Sequence, residues 1–357
     1  MGLEPTTSAM ARRRSSQLSY VCIYGAGGQV RTGTSKGWSL SALTHLSYPR
    51  THMMSIIRKF WVFQIFYDNH SVLYLVRKPL WITSNLVVKI LKRVLKVDKI
   101  GFAGTLDPLA SGLMIIGIDW STRLFPMIEH FQKTYTTTIR LDGTTASYDL
   151  EKPIETIEIS KDVIQKITLE GLQEIVKENF IGDILQAPPL YSAIWIDGKR
   201  SYERMRKGEI GLELEAKPRT IHNFEILSYT WPQISCRITV SHGTYIRSIA
   251  RDIGELLWTG GYLETLERTS LWHISLDSPR EWIQHNDIFY IPFSHEELFP
   301  NIPVITLSEE EKSHLRIGST PLQSILSDGQ YFIKYDEVTY GLLEVKNGMV
   351  FPVKNWI

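Results

Sequence analysis

Residues 101 to 112 read Gly-Phe-Ala-Gly-Thr-Leu-Asp-Pro-Leu-Ala-Ser-Gly and place one carboxylate, Asp107, between a glycine-flanked turn and a proline. Glycines at 101, 104 and 112 allow unusual backbone angles and close approach of another chain, and Pro108 fixes the backbone just after the acid. The segment that follows, Leu113 to Ile118, is almost wholly apolar and reads as a buried strand or a core-facing helix end. Asp107 is thereby presented as a single acid at a set angle on the edge of a core. Taken alone, the same stretch also reads as an Asp-Pro turn opening a helix.

Four other segments carry chemical groups. Lys78-Pro79-Leu80-Trp81-Ile82-Thr83-Ser84 links a strand to a helix, and Lys133-Thr134-Tyr135 opens a strand. Pro188-Pro189-Leu190-Tyr191-Ser192-Ala193 leads through Asp197-Gly198-Lys199-Arg200-Ser201-Tyr202 into a basic helix. Ser241-His242-Gly243-Thr244-Tyr245-Ile246-Arg247 runs from a strand end into another helix. In that last helix the apolar stripe is Ile246, Ile249, Ile253 and Leu257, which leaves Arg247 facing elsewhere, either paired with Asp107 or solvated. Tyr135 reads as a half-buried strand residue. Lys199, Arg200, Arg204, Arg206 and Lys207 with Tyr202 inside them form a cluster suited to phosphate contacts, or a solvated helix face. Asp149 and Asp252 read as a strand-end turn and a helix-surface charge.

The elements expected to position these groups begin near Ser71. Strands are expected at Val72–Val76, Thr134–Leu141, Ser192–Ile196, Asn223–Tyr229 and Ile234–Val240, and helices near Leu169–Asn179, Ser201–Arg206 and Tyr245–Leu257. Thr83 and Ser84 are N-cap candidates for a helix with Leu86, Val87, Ile90, Leu91, Val94 and Leu95 on one stripe. Strands often follow one another directly, so the fold class is α+β on a mixed, mostly antiparallel sheet. A boundary near Pro292–Pro303 separates a small module with a helix at Ser308–Leu315 and strands at Tyr331–Lys334, Thr339–Val345 and Met349–Val353. The expected domains are a catalytic one over residues 70–290 and a β-rich one over 303–357.

With 357 residues and 43% hydrophobic content the chain can bury a substantial core. No apolar run is long enough to span a bilayer. Cys22 and Cys236 make neither a CxxC pair nor a metal-spaced cluster, so no metal is expected and a reducing cytoplasm fits. The net charge of +1 makes any nucleic-acid surface a local patch. Residues 1–53 hold Arg12, Arg13, Arg14, Arg31, Lys36 and Arg50 against Glu4 alone and show no sustained periodicity. They are expected to lack a fold of their own. A start at Met53 or Met54 is preferred to a transit peptide.

In combination these segments, from about Val72 to Ile274, resemble the bacterial TruB family of tRNA pseudouridine synthases. That resemblance implies Asp107 as the nucleophile, Tyr135 as the stacking and proton-transfer residue, and Arg247 as the partner of Asp107. It implies a pocket wall of Lys78, Phe102, Tyr245 and Leu266, with Lys199, Arg200, Tyr202 and Arg204 on the RNA. The substrate implied is the T-loop uridine at position 55 of tRNA, with no cofactor, no membrane and no obligate protein partner, and a monomer is expected. The tail, through Leu307-Ser308-Glu309-Glu310-Glu311 and Arg316-Ile317-Gly318, resembles a PUA-type RNA-binding module. Two positions depart from the pattern: Phe102 stands where His is typical, and Trp81 where Gly is frequent. A silent RNA-binding protein would keep the scaffold without the chemistry. An aspartate-dependent glycosidase would need a second carboxylate that no motif marks.

Overall fold

The computed structural model describes residues 72–196, 198–209, 214–311, 326–336 and 338–352. All of them belong to one compact unit, Ile65–Ile357. The expectations for residues 1–53, for Asp197 and for Arg316-Ile317-Gly318 fall outside the described residues.

Strand β1 (Leu73–Lys78) leads to helix α1 (Ser84–Leu95), whose first turn is capped by Thr83 Oγ1 accepting from Leu86 N at 3.1 Å. Val87 and Leu91 bury their side chains, while Leu86, expected on the same stripe, is turned outward. Next come β2 (Ile100–Ala103), β3 (Ser111–Ile118), a short helix α2 (Phe125–Glu129) and β4 (Lys133–Arg140). A small hairpin, β5 (Gly143–Thr145) and β6 (Ile154–Thr156), precedes α3 (Lys161–Lys166), α4 (Leu169–Asn179) and β7 (Gly182–Gln186). The predicted strand at Ser192–Ile196 shrinks to β8 (Trp195–Ile196), paired with β9 (Lys199–Arg200) ahead of α5 (Ser201–Arg206). Long strands β10 (Lys217–Thr230) and β11 (Gln233–Val240) lead to α6 (Ile246–Leu257) and β12 (Tyr262–Leu271). Short strands β13 (Ile274–Ser275) and β14 (Ile283–His285), then β15 (Ile288–Phe293) and α7 (His295–Leu298), complete this part.

Eleven of these strands form one sheet in the order β14-β15-β1-β3-β12-β4-β11-β10-β7, with β2 on β3 and β13 on β12. Every neighbouring pair is antiparallel except β3 and β12, joined in parallel at Ser111 and Gly112. This short seam divides the sheet. On one side lie strands from residues 73–118 and 283–293; on the other, strands drawn only from residues 133–275.

The apolar run Leu113–Ile118 is explained by burial on both faces. Met114, Ile116 and Ile118 point into a core shared with Val87 and Leu91 of α1 and with Ile249 and Ile253 of α6. Leu113 and Ile115 point into a second core with Leu298, Phe299, Phe332 and Leu342. The last two come from a four-stranded sheet ordered β16 (Val304–Thr306), β17 (Gly329–Tyr335), β18 (Val338–Lys346) and β19 (Met349–Pro352). This module has a small core of its own around Ile333, Leu343 and Val345, and packs its other face on the main sheet. Strand β15 carries the main sheet to Phe293, and the four-stranded sheet begins at Val304. No helix among the described residues is long and apolar enough to cross a membrane.

Candidate active site

The loop between β2 and β3 carries Asp107, and hydrogen bonds hold it on both flanks. Ser84 Oγ, at the start of α1, donates to Leu106 O and accepts from Leu106 N, each at 3.0 Å. On the far side Pro108 O accepts from Trp81 N at 2.7 Å and from Lys78 Nζ at 3.2 Å. Leu106, Leu109 and Ala110 are buried beneath it. The side chain of Asp107 is left 36% exposed, an acid on a fixed mount that still reaches solvent.

Arg247, in the first turn of α6, comes to this carboxylate from across the seam. Its Nε lies 3.0 Å from Asp107 Oδ2 and 3.7 Å from Asp149 Oδ2, in line with neither. Its two terminal nitrogens donate to Ser147 O and Tyr191 O, both at 3.1 Å. The guanidinium is buried, which opposes its charge, yet Asp107, Asp149 and Glu151 together hold its proton more tightly than usual. The start of α6 is itself clamped: the Gln186 side chain donates to Tyr245 O at 3.1 Å and accepts from Tyr245 N at 2.8 Å.

Asp149 lies in the turn after β5, as expected, but it is wholly buried there, and Ser147 Oγ and Glu151 N donate to its Oδ1 at 2.5 and 3.0 Å. Burial pushes its carboxyl up, with Arg247 pulling the other way. The site therefore holds two carboxylates on one arginine, one open to substrate and one sealed.

Tyr135 is buried in β4, opposite Arg268 of β12, and Leu266 sits two positions away on the same strand. Arg268 was not among the expected site residues. It is the largest fully buried side chain, and its position inside a run with Glu264 and Glu267 disguises β12 as a surface segment. Lys78 is also wholly buried, its Nζ donating to Pro79 O at 2.9 Å; desolvation lowers its pKa to about 8, against the pull of Asp107. Tyr245 is held above the usual phenol range by burial, and Asp107 is among the charges it feels.

The remaining expected residues are spread more widely. Phe102 is half-buried on β2 opposite Ile116, against the main core. Trp81, at the site's edge, has φ of +63°, a conformation that favours glycine, and its side chain is largely exposed. In the β8–α5 insertion Lys199 is exposed, the Arg200 guanidinium lies 4.5 Å over the Trp195 ring, and Tyr202 bonds Glu203 at 3.2 Å. Arg204 is paired with Glu209 at 2.6 Å and the Arg206 guanidinium lies 5.3 Å over the Tyr202 ring, while Lys199 and Lys207 are exposed.

The whole arrangement, a pinned aspartate met by a buried arginine at the seam of a mixed sheet, can be set against known proteins. Over 79% of this chain and 81% of the other, the fold superposes on a crystal structure of an archaeal box H/ACA sRNP Nop10–Cbf5 complex, with a TM-score of 0.52 at 19% identity. Residues 92–246 match the model for the TruB family pseudouridylate synthase N-terminal domain. The tRNA pseudouridine synthase B of Corynebacterium diphtheriae is 38% identical over 255 residues, 70% of this chain and 83% of that one. The protein of the same name from Parabacteroides distasonis is 42% identical over 219 residues, 59% of this chain and 91% of the relative. The chain belongs to the TruB family of pseudouridine synthases.

Proposed function

We infer that this protein isomerises uridine to pseudouridine in tRNA, at the T-loop uridine of position 55, with Asp107 as the nucleophile. The observation that carries the reading is the Asp107–Arg247 pair: an acid with one face open, held by a buried guanidinium 3.0 Å away. The reaction breaks the bond from C1′ to N1, turns the freed uracil and rejoins it through C5. A carboxylate nucleophile divides this into two easier steps. Arg247 aims Asp107, while Asp149 balances the arginine from behind. Tyr135 stacks on the uracil and takes part in removing the C5 proton, and Leu266 and Tyr245 line the pocket around the base. A uridine in a folded loop must leave its stack to reach an acid set this far into the surface. The exposed cations of the β8–α5 insertion supply phosphate contacts.

The test is conversion of unmodified tRNA by the purified protein, with pseudouridine mapped by position. Conversion at the T-loop uridine that disappears in Asp107→Asn is the expected result. Activity surviving that substitution removes the nucleophile, and conversion unaffected by moving the uridine out of the T-loop removes the substrate assignment.

A further inference from the structure

Arg268 reaches the nucleophile's loop from across the seam. Its Nε donates to Leu113 O at 2.7 Å and its Nη2 to Gly104 O at 3.0 Å. Gly104 is the first residue after β2 and Leu113 the third of β3, so one planar fork joins the chain entering the Asp107 loop to the chain leaving it. The ladder between β3 and β12 covers Ser111 and Gly112 and stops; at the next residue the Arg268 side chain takes the carbonyl. The fit is close at both ends. A Cβ at Gly112 would stand 2.3 Å from Arg268 O, and one at Gly104 would stand 3.2 Å from Arg268 Nη1. The side chain is 1% exposed, burial opposes its charge, and no carboxylate among the described residues pairs with it. A neutral side chain of the same volume would fill that space at less cost, so filling space does not account for an arginine here. Two carbonyls that need two donors in one plane do account for it, and a lysine lacks the fork that meets both.

We propose that Arg268 is a positioning residue for Asp107: by tying Gly104 and Leu113 to β12 it fixes where the loop holds the nucleophile's carboxylate beside Arg247. The proposal rests on the function inferred above. Helix α6, which carries Arg247, packs on β12, so through Arg268 the acid and its cation take their places from the same strand. The other ties on the loop have a different origin. Ser84 holds Leu106 from α1, and Lys78 holds Pro108 from β1, both on the Asp107 side of the seam. Without the Arg268 fork these two keep the loop folded, while its position against β12, and thereby against Arg247, is free to shift. A displacement of about 1 Å at a reacting group costs about a hundredfold in rate. Because every step that uses Asp107 depends on this placement, the loss falls on the reaction from its first chemical step. Grip on the RNA, supplied by the β8–α5 insertion, is left in place.

The experiment measures single-turnover rates, tRNA affinity and amide hydrogen exchange over residues 104–113 for wild type, Arg268→Met and Arg268→Lys. Two tRNAs are used. One carries tritium at C5 of the target uridine, whose release needs the whole reaction; the other carries 5-fluorouridine, which has no C5 proton to lose and reads cleavage and rejoining alone. Rates are taken per folded molecule, counted by titration with tRNA. Arg268→Met, uncharged and unbranched, is expected to slow both tRNAs equally, by about a hundredfold, with tRNA affinity within about threefold of wild type. Exchange over residues 104–113 is expected to quicken by about tenfold, the sign of a loosened loop. Arg268→Lys, which can meet one carbonyl, should lie between, about tenfold below wild type. A purely structural role predicts fewer folded molecules, each working at the wild-type rate, and that result overturns the proposal. Slower tritium release with unchanged 5-fluorouridine rearrangement also overturns it, since the defect then follows the steps of Asp107. Slowing without quicker exchange does so too, by assigning the loss to the buried charge rather than to the tie. If Arg268→Met does not fold, Arg268→Lys decides: rates within about threefold of wild type on both tRNAs overturn the proposal. Failure of wild type on both tRNAs overturns the functional reading itself, a result distinct from any of these.

Discussion

A single guanidinium, that of Arg247, answers for four acceptors: two carboxylates and the carbonyls of Ser147 and Tyr191. A lysine could supply the charge but not the planar fork. Arg247→Lys is therefore expected to lower kcat about a hundredfold, roughly 2.7 kcal/mol of lost transition-state stabilisation, with KM changed only a few-fold; steady-state kinetics on unmodified tRNA checks this. Asp107, Tyr135 and Arg247 were singled out by the resemblance of their motifs in combination to the TruB family, since each taken alone also read as a turn, strand or surface residue. Asp149 was not. In Thr-Thr-Ala-Ser-Tyr-Asp its neighbours are turn formers, and its burial is settled by a bridge to Leu263, remote in sequence. Arg268 was hidden for the opposite reason, since a charged residue in a polar run reads as exposed until the strand on its far side is known.

Among elements, the helices Leu169–Asn179 and Ser201–Arg206 run as their periodicity predicts, and β4 and β11 are met within a residue at either end. Local patterning suffices where one face is buried and one is wet. It fails for β12, a central strand bearing Glu264, Glu267 and Arg268, and for the Ser192–Ile196 segment, most of which is loop. The join between β3 and β12 depends on Gly112, whose φ is +106° and whose place for a Cβ is already filled by Arg268 backbone. Gly112→Ala should thus cost at least about 3 kcal/mol, from backbone strain added to steric overlap. A shift in urea midpoint measures it, and an unchanged midpoint would mean that the seam can slide to make room.

For the molecule as a whole, the terminal sheet is packed on the main one around His295. This imidazole is buried, accepts or donates to Ser121 Oγ at 2.8 Å, and stacks on Trp120 with ring centres 4.7 Å apart. Phe332 of β17 lies on another side of it, at 5.8 Å. Burial lowers its pKa from 6.5 to about 4, so the unfolded chain binds the proton first as pH falls. Stability is then complete above about pH 6.5 and declines toward pH 4, by up to about 1.4 kcal/mol per pH unit and about 3 kcal/mol in all. His295→Phe should flatten this acid limb, a difference read from urea unfolding at pH 7 and pH 5. An acid limb that keeps its slope in the variant would assign the loss to other groups.

The parallel seam has a consequence for timing. Asp107 and Lys78 belong to the early strands, while Tyr135, Asp149, Arg247 and Arg268 belong to the segment inserted after them. Neither set holds a working centre, and the two meet through a pairing that spans more than 150 residues of chain. Contacts so distant in sequence close late. During synthesis, then, Asp107 emerges long before Arg247, and a nascent or broken chain carries the acid without its ion-pair partner.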